Sequence, residues 1–297
     1  MTKEAAHYHL KKGGLSAEFS AFGAECTSLT YKGREYLWQA DPAIWGRHAP
    51  VLFPFVGRLK GNTFIHQGAS YTMGQHGFAR DRKFQLADQD ENSLTFVLVS
   101  DAQSLEIFPF HFQLFIRYTL TEAGMKVGYK VVNPSSCPLL YSIGAHPGFN
   151  CPLDPEEEAF SDYEIDFMQA GLSSLSVYLL EDGLIGDKKA EIPLHDGKLP
   201  LSYSLFENDA LIMDVGAFTQ IQIRSKITGR GFIMDFSDFR WLGLWSKNKD
   251  AGFICIEPWN GIADTLGHDL QLENKWGIQK LEAHQYHEPE FEVGLFS

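Results

Sequence analysis

The sequence predicts an all-β fold, a large antiparallel β-sandwich or super-sandwich built as one domain over residues 1–297. Three observations predict it. Apolar and polar residues alternate at period two along most of the chain, the alternating runs come in pairs around short turns, and no stretch reads as a three-turn amphipathic helix or as the βα alternation of a parallel sheet. With 44% hydrophobic and 13% aromatic residues, the chain has the apolar surface for a large core, which excludes disordered and low-complexity classes.

Taken in order, Leu29 to Trp38 folds around Lys32-Gly33, Phe64 to Met73 around Gln67-Gly68, and Phe84 to Val99 around residues 88–92. The clearest run has Phe112, Leu114, Ile116, Tyr118 and Leu120 on one face, with Gln113, Arg117 and Thr119 between them. Thr121-Glu122-Ala123-Gly124 turns it into a second run, with Met125, Val127, Tyr129 and Val131 sharing a face. Pro152 to Asp162 is the least strand-like stretch and is expected to be a solvated loop, because Glu156-Glu157-Glu158 are adjacent like charges. Phe218 to Ile227 and Gly231 to Trp245 resume the rhythm on either side of Gly229. No Pro/Ser/Gly linker and no fixed repeat divides the chain.

The formal net charge of −13 repels phosphate backbones and anionic lipid, so neither nucleic acid nor membrane is an expected partner. Residues 1–7 carry no apolar signal-peptide core, and no 18-residue apolar run occurs; a cytoplasmic protein is expected. Cys26, Cys137, Cys151 and Cys255 form no Cys-x-x-Cys pair and are expected to be buried thiols. His284 and His287 stand near Glu282 and Glu288 without a zinc-type spacing, so no metal is expected there. By the alternation His111 falls on a wet face, and His66 just precedes a turn.

Four segments break the strand rules, and in a sandwich such interruptions are where chemistry sits. They are Ala49-Pro50-Val51-Leu52-Phe53-Pro54-Phe55-Val56-Gly57-Arg58-Leu59, Gln75-His76-Gly77-Phe78-Ala79-Arg80-Asp81-Arg82, Gly144-Ala145-His146-Pro147-Gly148-Phe149-Asn150 and Cys255-Ile256-Glu257-Pro258-Trp259-Asn260-Gly261. Singly, each has an ordinary explanation: a histidine bonded to a turn, a solvated glutamate, an arginine closing an ion pair. Together they supply a carboxylate, two histidines and an arginine, each framed by Gly or Pro.

These segments resemble the aldose 1-epimerase (galactose mutarotase) family, most closely its LacX-like branch. The likeness is carried by Pro50 to Pro54 through Arg58, Gln75 to Arg80, His146 to Asn150 and Glu257-Pro258-Trp259, and spans roughly Leu29 to Glu292. It implies a galactose mutarotase-like super-sandwich with a sugar cleft that interconverts α and β anomers without metal or cofactor. By position it implies that Glu257 is the general base, His146 the general acid, and His76 and Arg58 sugar-binding groups. Asp209 is the best match for a sugar-binding aspartate, and Arg80 belongs to the same motif. Opening a hemiacetal requires one proton to leave the C1 hydroxyl while another reaches the ring oxygen, so the expectation is an ionised Glu257 and a protonated His146.

The departures at Pro147-Gly148-Phe149 and Pro258-Trp259 keep sugar preference from carrying over. A hexose-6-phosphate 1-epimerase is the nearest alternative, since Arg80 and Arg82 together could clasp a phosphate. A non-catalytic sugar sensor is the second, because Trp45, Phe149 and Trp259 could stack on a ring in either case. A glycosidase is disfavoured by the single framed carboxylate. The partner expected is a small sugar, and a homodimer is one assembly left open.

Overall fold

The computed structural model describes residues 6–216, 218–247 and 251–297. Residues 1–5, on which the expectation about a leader largely turns, lie outside these.

Two antiparallel sheets dominate. The ten-stranded sheet runs in the order Lys198–Pro200, Tyr163–Asp166, Gln220–Ser225, Gly231–Asp235, Glu290–Phe296, Gly124–Val132, Gln113–Leu120, Ser93–Val99 and Gln85–Gln89, with Tyr286–His287 beside Gly124–Val132. The eight-stranded sheet runs Leu184–Pro193, Ser174–Glu181, Leu211–Asp214, Trp241–Trp245, Phe253–Asn260, Ile143–Ala145 and Val51–Leu52, with Gly148–Asn150 also on Phe253–Asn260. A four-stranded sheet formed by His7–Lys12, Leu15–Ser20, Glu25–Tyr31 and Arg34–Glu35 completes the larger units. Among the described residues the only α-helix is Ala102–Ile107, capped by the Asp101 carboxylate.

The period-two faces pair as the alternation requires. Leu114, Ile116, Tyr118 and Leu120 stand opposite Val131, Tyr129, Val127 and Met125, and all eight are buried. Apolar residues of both large sheets join in one core, where Phe149 and Phe232 stack from opposite sheets with ring centroids 4.1 Å apart. The Lys32-Gly33 and Gln67-Gly68 turns have positive φ at both residues, the backbone that matches the twist of a two-residue hairpin. Asp182-Gly183 has the same geometry and joins a hairpin, Ser174–Glu181 with Leu184–Pro193, that the alternation had not singled out.

Three expectations need correction. The run from Gly231 to Trp245 is not one strand: a turn held by Ser237 N–H to Asp235 and Phe239 N–H to Phe236 sends Trp241–Trp245 into the other sheet. Glu158 is buried although Glu156 and Glu157 are exposed; it accepts hydrogen bonds from the Tyr163 and Thr228 hydroxyls, which satisfy its charge inside. Cys137 is exposed, whereas Cys26, Cys151 and Cys255 are buried. His111 is exposed, and His287 pairs through Nδ1 with the Tyr141 hydroxyl at 2.7 Å. No described helix is long and apolar enough to cross a membrane.

The eight-stranded sheet is covered on both faces. Along Phe253–Asn260, Ile254 and Ile256 join the sandwich core, while Phe253, Cys255 and Trp259 join clusters on the opposite face. Glu257 belongs by period to that second face. The segments that wall this face are tied down by a buried ion pair: Lys275 Nζ donates to Asp264 Oδ1 at 2.9 Å and to the Ile262 carbonyl at 2.6 Å. The other Asp264 oxygen accepts from Lys60 N–H, its own N–H donates to the Arg58 carbonyl, and its carbonyl accepts from Ile185 N–H. Burial pulls Lys275 below the usual lysine range, opposed by Asp264.

Removing only one partner strands the other charge in the interior. We expect Lys275→Ala to cost about 3–5 kcal/mol of unfolding free energy in a urea titration; a loss under about 1 kcal/mol would show that this pair does not anchor the wall.

Candidate active site

Glu257, His146, His76, Arg80 and Asp209 line one cavity of about 360 Å³ on the second face of the eight-stranded sheet. Gln75, Trp45, Trp245 and Trp259 complete most of its wall. Arg58 is not in that wall. Its side chain is exposed, its guanidinium donates to the Asp182 carbonyl at 2.9 Å, and its stem lies along Gly183 at the rim. The reason is local: Gly57, at φ 73°, turns the chain so that Gly57 faces the cavity and Arg58 points outward.

The centre is a direct contact between His146 Nε2 and Glu257 Oε2 at 3.2 Å, with both side chains nearly out of solvent. His146 leaves the end of Ile143–Ala145 with its N–H on the Pro50 carbonyl. Trp45 stacks on its ring at 5.0 Å, and Trp245 and His76 meet it edge-on at 5.8 and 5.6 Å. Glu257 stands opposite Gly243 across the ladder. That glycine makes room: a Cβ there would lie 2.7 Å from Trp259 and 3.3 Å from the Glu257 Cβ.

Burial sets the charge state. It raises Glu257 well above the usual carboxylate range, with the nearby Asp209 charge adding to the effect. It pulls His146 down to about 3, with Arg80 contributing. Desolvation thus works against the charged form of both partners and moves the pair toward a carboxylic acid beside a neutral imidazole. The direction of both shifts runs against the expected ionised Glu257 and protonated His146. His76 is lowered well below the ordinary imidazole value, again chiefly by burial. Gly57 N–H donates to its Nδ1 at 3.1 Å, so the neutral ring carries its proton on Nε2, and the Gln75 side-chain amide 3.2 Å away must turn its oxygen to the ring to accept it.

The polar rim is arranged for hydroxyl groups. Arg80 donates to the Gln75 carbonyl at 2.7 Å, and burial with the neighbouring Arg47 lowers it to about 10, so it remains a cation. Its Nε has no hydrogen-bond partner among the described residues. Asp209, exposed and at φ 81°, accepts from Ala210 N–H through Oδ1. Arg82 does not join Arg80: it makes a two-pronged pair with Asp101 at 2.6 and 2.7 Å. Phe149 is a core ring rather than a cavity ring.

Gln75 and Trp245 were not singled out as site residues. Trp245 could have been found by pairing Trp241-Leu242-Gly243-Leu244-Trp245 against the Glu257 strand, since period two puts Trp245 on the glutamate's face. One set of metal-type donors lies within reach: His146, Cys255 and Glu257 offer ligand atoms all within 4.8 Å of one another. Elsewhere, a cleft of about 380 Å³ over the ten-stranded sheet, lined by Asp235, Asp238, Glu290 and Glu292, contains none of the candidate site residues.

The aldose 1-epimerase family model matches residues 6–272. The chain belongs to the aldose 1-epimerase family. Among relatives, the chromosomal protein LacX of Lactococcus lactis subsp. lactis is 36% identical over 281 residues, which are 92% of this chain and 93% of that one. A galactose mutarotase related enzyme from Lactobacillus acidophilus is 32% identical and superposes with a TM-score of 0.91, covering 98% of each chain. A galactose mutarotase-like protein from Lactobacillus casei is 29% identical, with a TM-score of 0.90 over 98% of this chain and 100% of that one. The fold and an epimerase role on carbohydrate follow for this aldose 1-epimerase family member.

Gly57 is the hinge of the wall. A Cβ there would stand 2.6 Å from the Ala263 Cβ, at a φ that L residues rarely adopt. Gly57→Ala should therefore push the loop off Ala263 and break the bonds from Gly57 N–H to His76 Nδ1 and from His76 N–H to the Gly57 carbonyl, raising KM for sugar by about tenfold or more. Unchanged KM and unchanged thermal stability would contradict this placement.

Proposed function

We propose that the protein is a cofactor-free aldose 1-epimerase that exchanges the anomers of a free hexose, with Glu257 and His146 as its proton-transfer pair. One observation carries the reading: the two groups touch at 3.2 Å inside a cavity of about 360 Å³, within the usual range for a small-molecule site.

The pair holds one transferable proton in either of two forms, carboxylic acid with neutral imidazole or carboxylate with imidazolium. In the second form Glu257 takes the C1 hydroxyl proton while His146 protonates the ring oxygen; the C1–O5 bond breaks and an open-chain aldehyde results. That step leaves Glu257 protonated and His146 neutral, which is the form burial favours in the free protein. Rotation about C1–C2 presents the other carbonyl face. Ring closure then returns the Glu257 proton to O1 and the O5 proton to His146, restoring the charged form. A ring-form sugar is engaged when the proton passes from Oε2 to Nε2 across their contact, as the C1 hydroxyl arrives to donate to the new carboxylate. Trp45, stacked on His146, favours the imidazolium by cation–π attraction.

The remaining groups hold the sugar. His76 Nε2–H and the Arg80 guanidinium donate, Asp209 accepts, and Trp45, Trp245 and Trp259 supply apolar wall. A free hexose is favoured over a hexose 6-phosphate because Arg82 is held by Asp101 and Arg47 by Asp81, leaving Arg80 without a second free arginine for a phosphate. A coupled anomer assay comparing glucose with glucose 6-phosphate tests this: the free sugar should have the higher kcat/KM. A sugar that binds without faster anomer exchange would instead identify a sensor.

Glu257→Gln and His146→Asn should each lower kcat by about 10²–10⁴-fold, with calorimetric sugar affinity little changed. A variant that keeps most of its turnover removes its residue from the pair.

The pH profile follows from the two shifts. Below about pH 3 His146 gains a second proton for the pair, and above the raised Glu257 value the pair loses its only one. With His146 lowered to about 3, kcat/KM should show no acid limb at the ordinary imidazole value of 6.5, and its basic limb should follow the raised Glu257 carboxyl. An acid limb centred there would contradict a buried, neutral His146.

A further inference from the structure

We propose that His146, Cys255 and Glu257 form a binding site for a thiophilic divalent cation of the Zn²⁺ or Cd²⁺ class, which would lock the proton-transfer pair when bound. The site stands on its donor atoms alone and does not depend on which sugar, if any, the cavity takes.

Cys255 and Glu257 are two residues apart on one strand, so both side chains project from the same face. Across from them His146 completes a sulfur, nitrogen and oxygen set whose ligand atoms all fall within 4.8 Å of one another. A tetrahedral centre with bonds of about 2.0–2.3 Å spaces its ligand atoms by roughly 3.3–3.7 Å. The His146 Nε2 to Glu257 Oε2 edge already measures 3.2 Å, and since the set spans no more than 4.8 Å, a small inward movement completes the centre.

A second observation points to a cation. Glu257 is 2% exposed, and its Oε2 meets only His146 Nε2, at 3.2 Å and without hydrogen-bond geometry, among the described residues. A buried acceptor without a donor is costly, and a dication is one group that satisfies it. The donor types select the metal: a thiol with an imidazole suits Zn²⁺ and Cd²⁺ and gives Mg²⁺ nothing it favours. Three protein ligands leave a fourth position, and because His146 and Glu257 line the cavity that position opens toward it. A thiol binds such a cation as its thiolate, so binding must displace the Cys255 proton.

The occupied site and the epimerase reaction exclude each other, since the metal takes the lone pairs that the sugar protons need. A soft cation would thus act as a reversible off-switch.

The test uses the full chain carrying Cys137→Ser, which removes the exposed thiol. Titration with CdCl₂ at neutral pH, without sugar, is followed by the ultraviolet thiolate-to-cadmium charge-transfer absorption and by calorimetry in two buffers of different ionisation enthalpy. The expected result is one equivalent bound, a charge-transfer band, proton release, and no heat with MgCl₂. Adding Cys255→Ser, with Cys255→Ala as a second form, should abolish the band while circular dichroism confirms the fold. Glu257→Gln should keep the band but weaken cadmium by about tenfold or more. No band in the Cys137→Ser parent, or a band that survives loss of Cys255, overturns the proposal. Because no reading involves turnover, its failure is separate from failure of the epimerase assignment.

Discussion

Everything at this site depends on a strand that is buried along its whole length. All eight residues of Phe253–Asn260 are buried, so Glu257 reaches the cavity from a floor that shields it from bulk solvent. That shielding disfavours the charged carboxylate, and the group beside it is His146. The raised carboxyl, the lowered imidazole and their close contact all follow from that one placement.

The same shielding goes with an uneven use of the surrounding charges. Arg80 Nε makes no hydrogen bond among the described residues and only a long ion pair of 3.8 Å with Asp81, whereas Arg47 and Arg82 are engaged closely by Asp81 and Asp101 at the surface. Arg80 in the wall, beside a pair whose charged forms burial disfavours, suits the pocket to hydroxyl groups. Asp209 opposes it from an exposed position, adding to burial in raising the Glu257 carboxyl. Polarity at the rim and neutrality at the centre are therefore two results of one gradient in solvation.

Much of the architecture could be read from period two, because alternation fixes which residues share a face and paired glycine turns fix where strands reverse. The Phe112 to Val131 hairpin shows this. The hairpin joined by Asp182-Gly183 escaped because its outer strand carries Asp187-Lys188-Lys189 on an exposed stretch, leaving little apolar contrast. Of the site, the residues framed by Gly or Pro were legible as a set. That Arg58 sits at the rim was not legible, because a motif specifies neighbours in sequence but not which way a left-handed glycine turns the next side chain. The upward shift of Glu257 was not legible for a different reason: desolvation depends on coverage by segments far apart in the chain, and no local pattern reports it.

Trp259 lies across two glycines on neighbouring strands. A methyl carbon would stand 2.5 Å from its ring at Gly144 and 2.7 Å at Gly243. Neither glycine is free to grow while the indole remains, yet shrinking the indole first leaves a trench in the floor of the cavity. Any lineage that alters this floor must therefore change these positions in a set order, tryptophan before glycine, and pass through a leakier intermediate on the way.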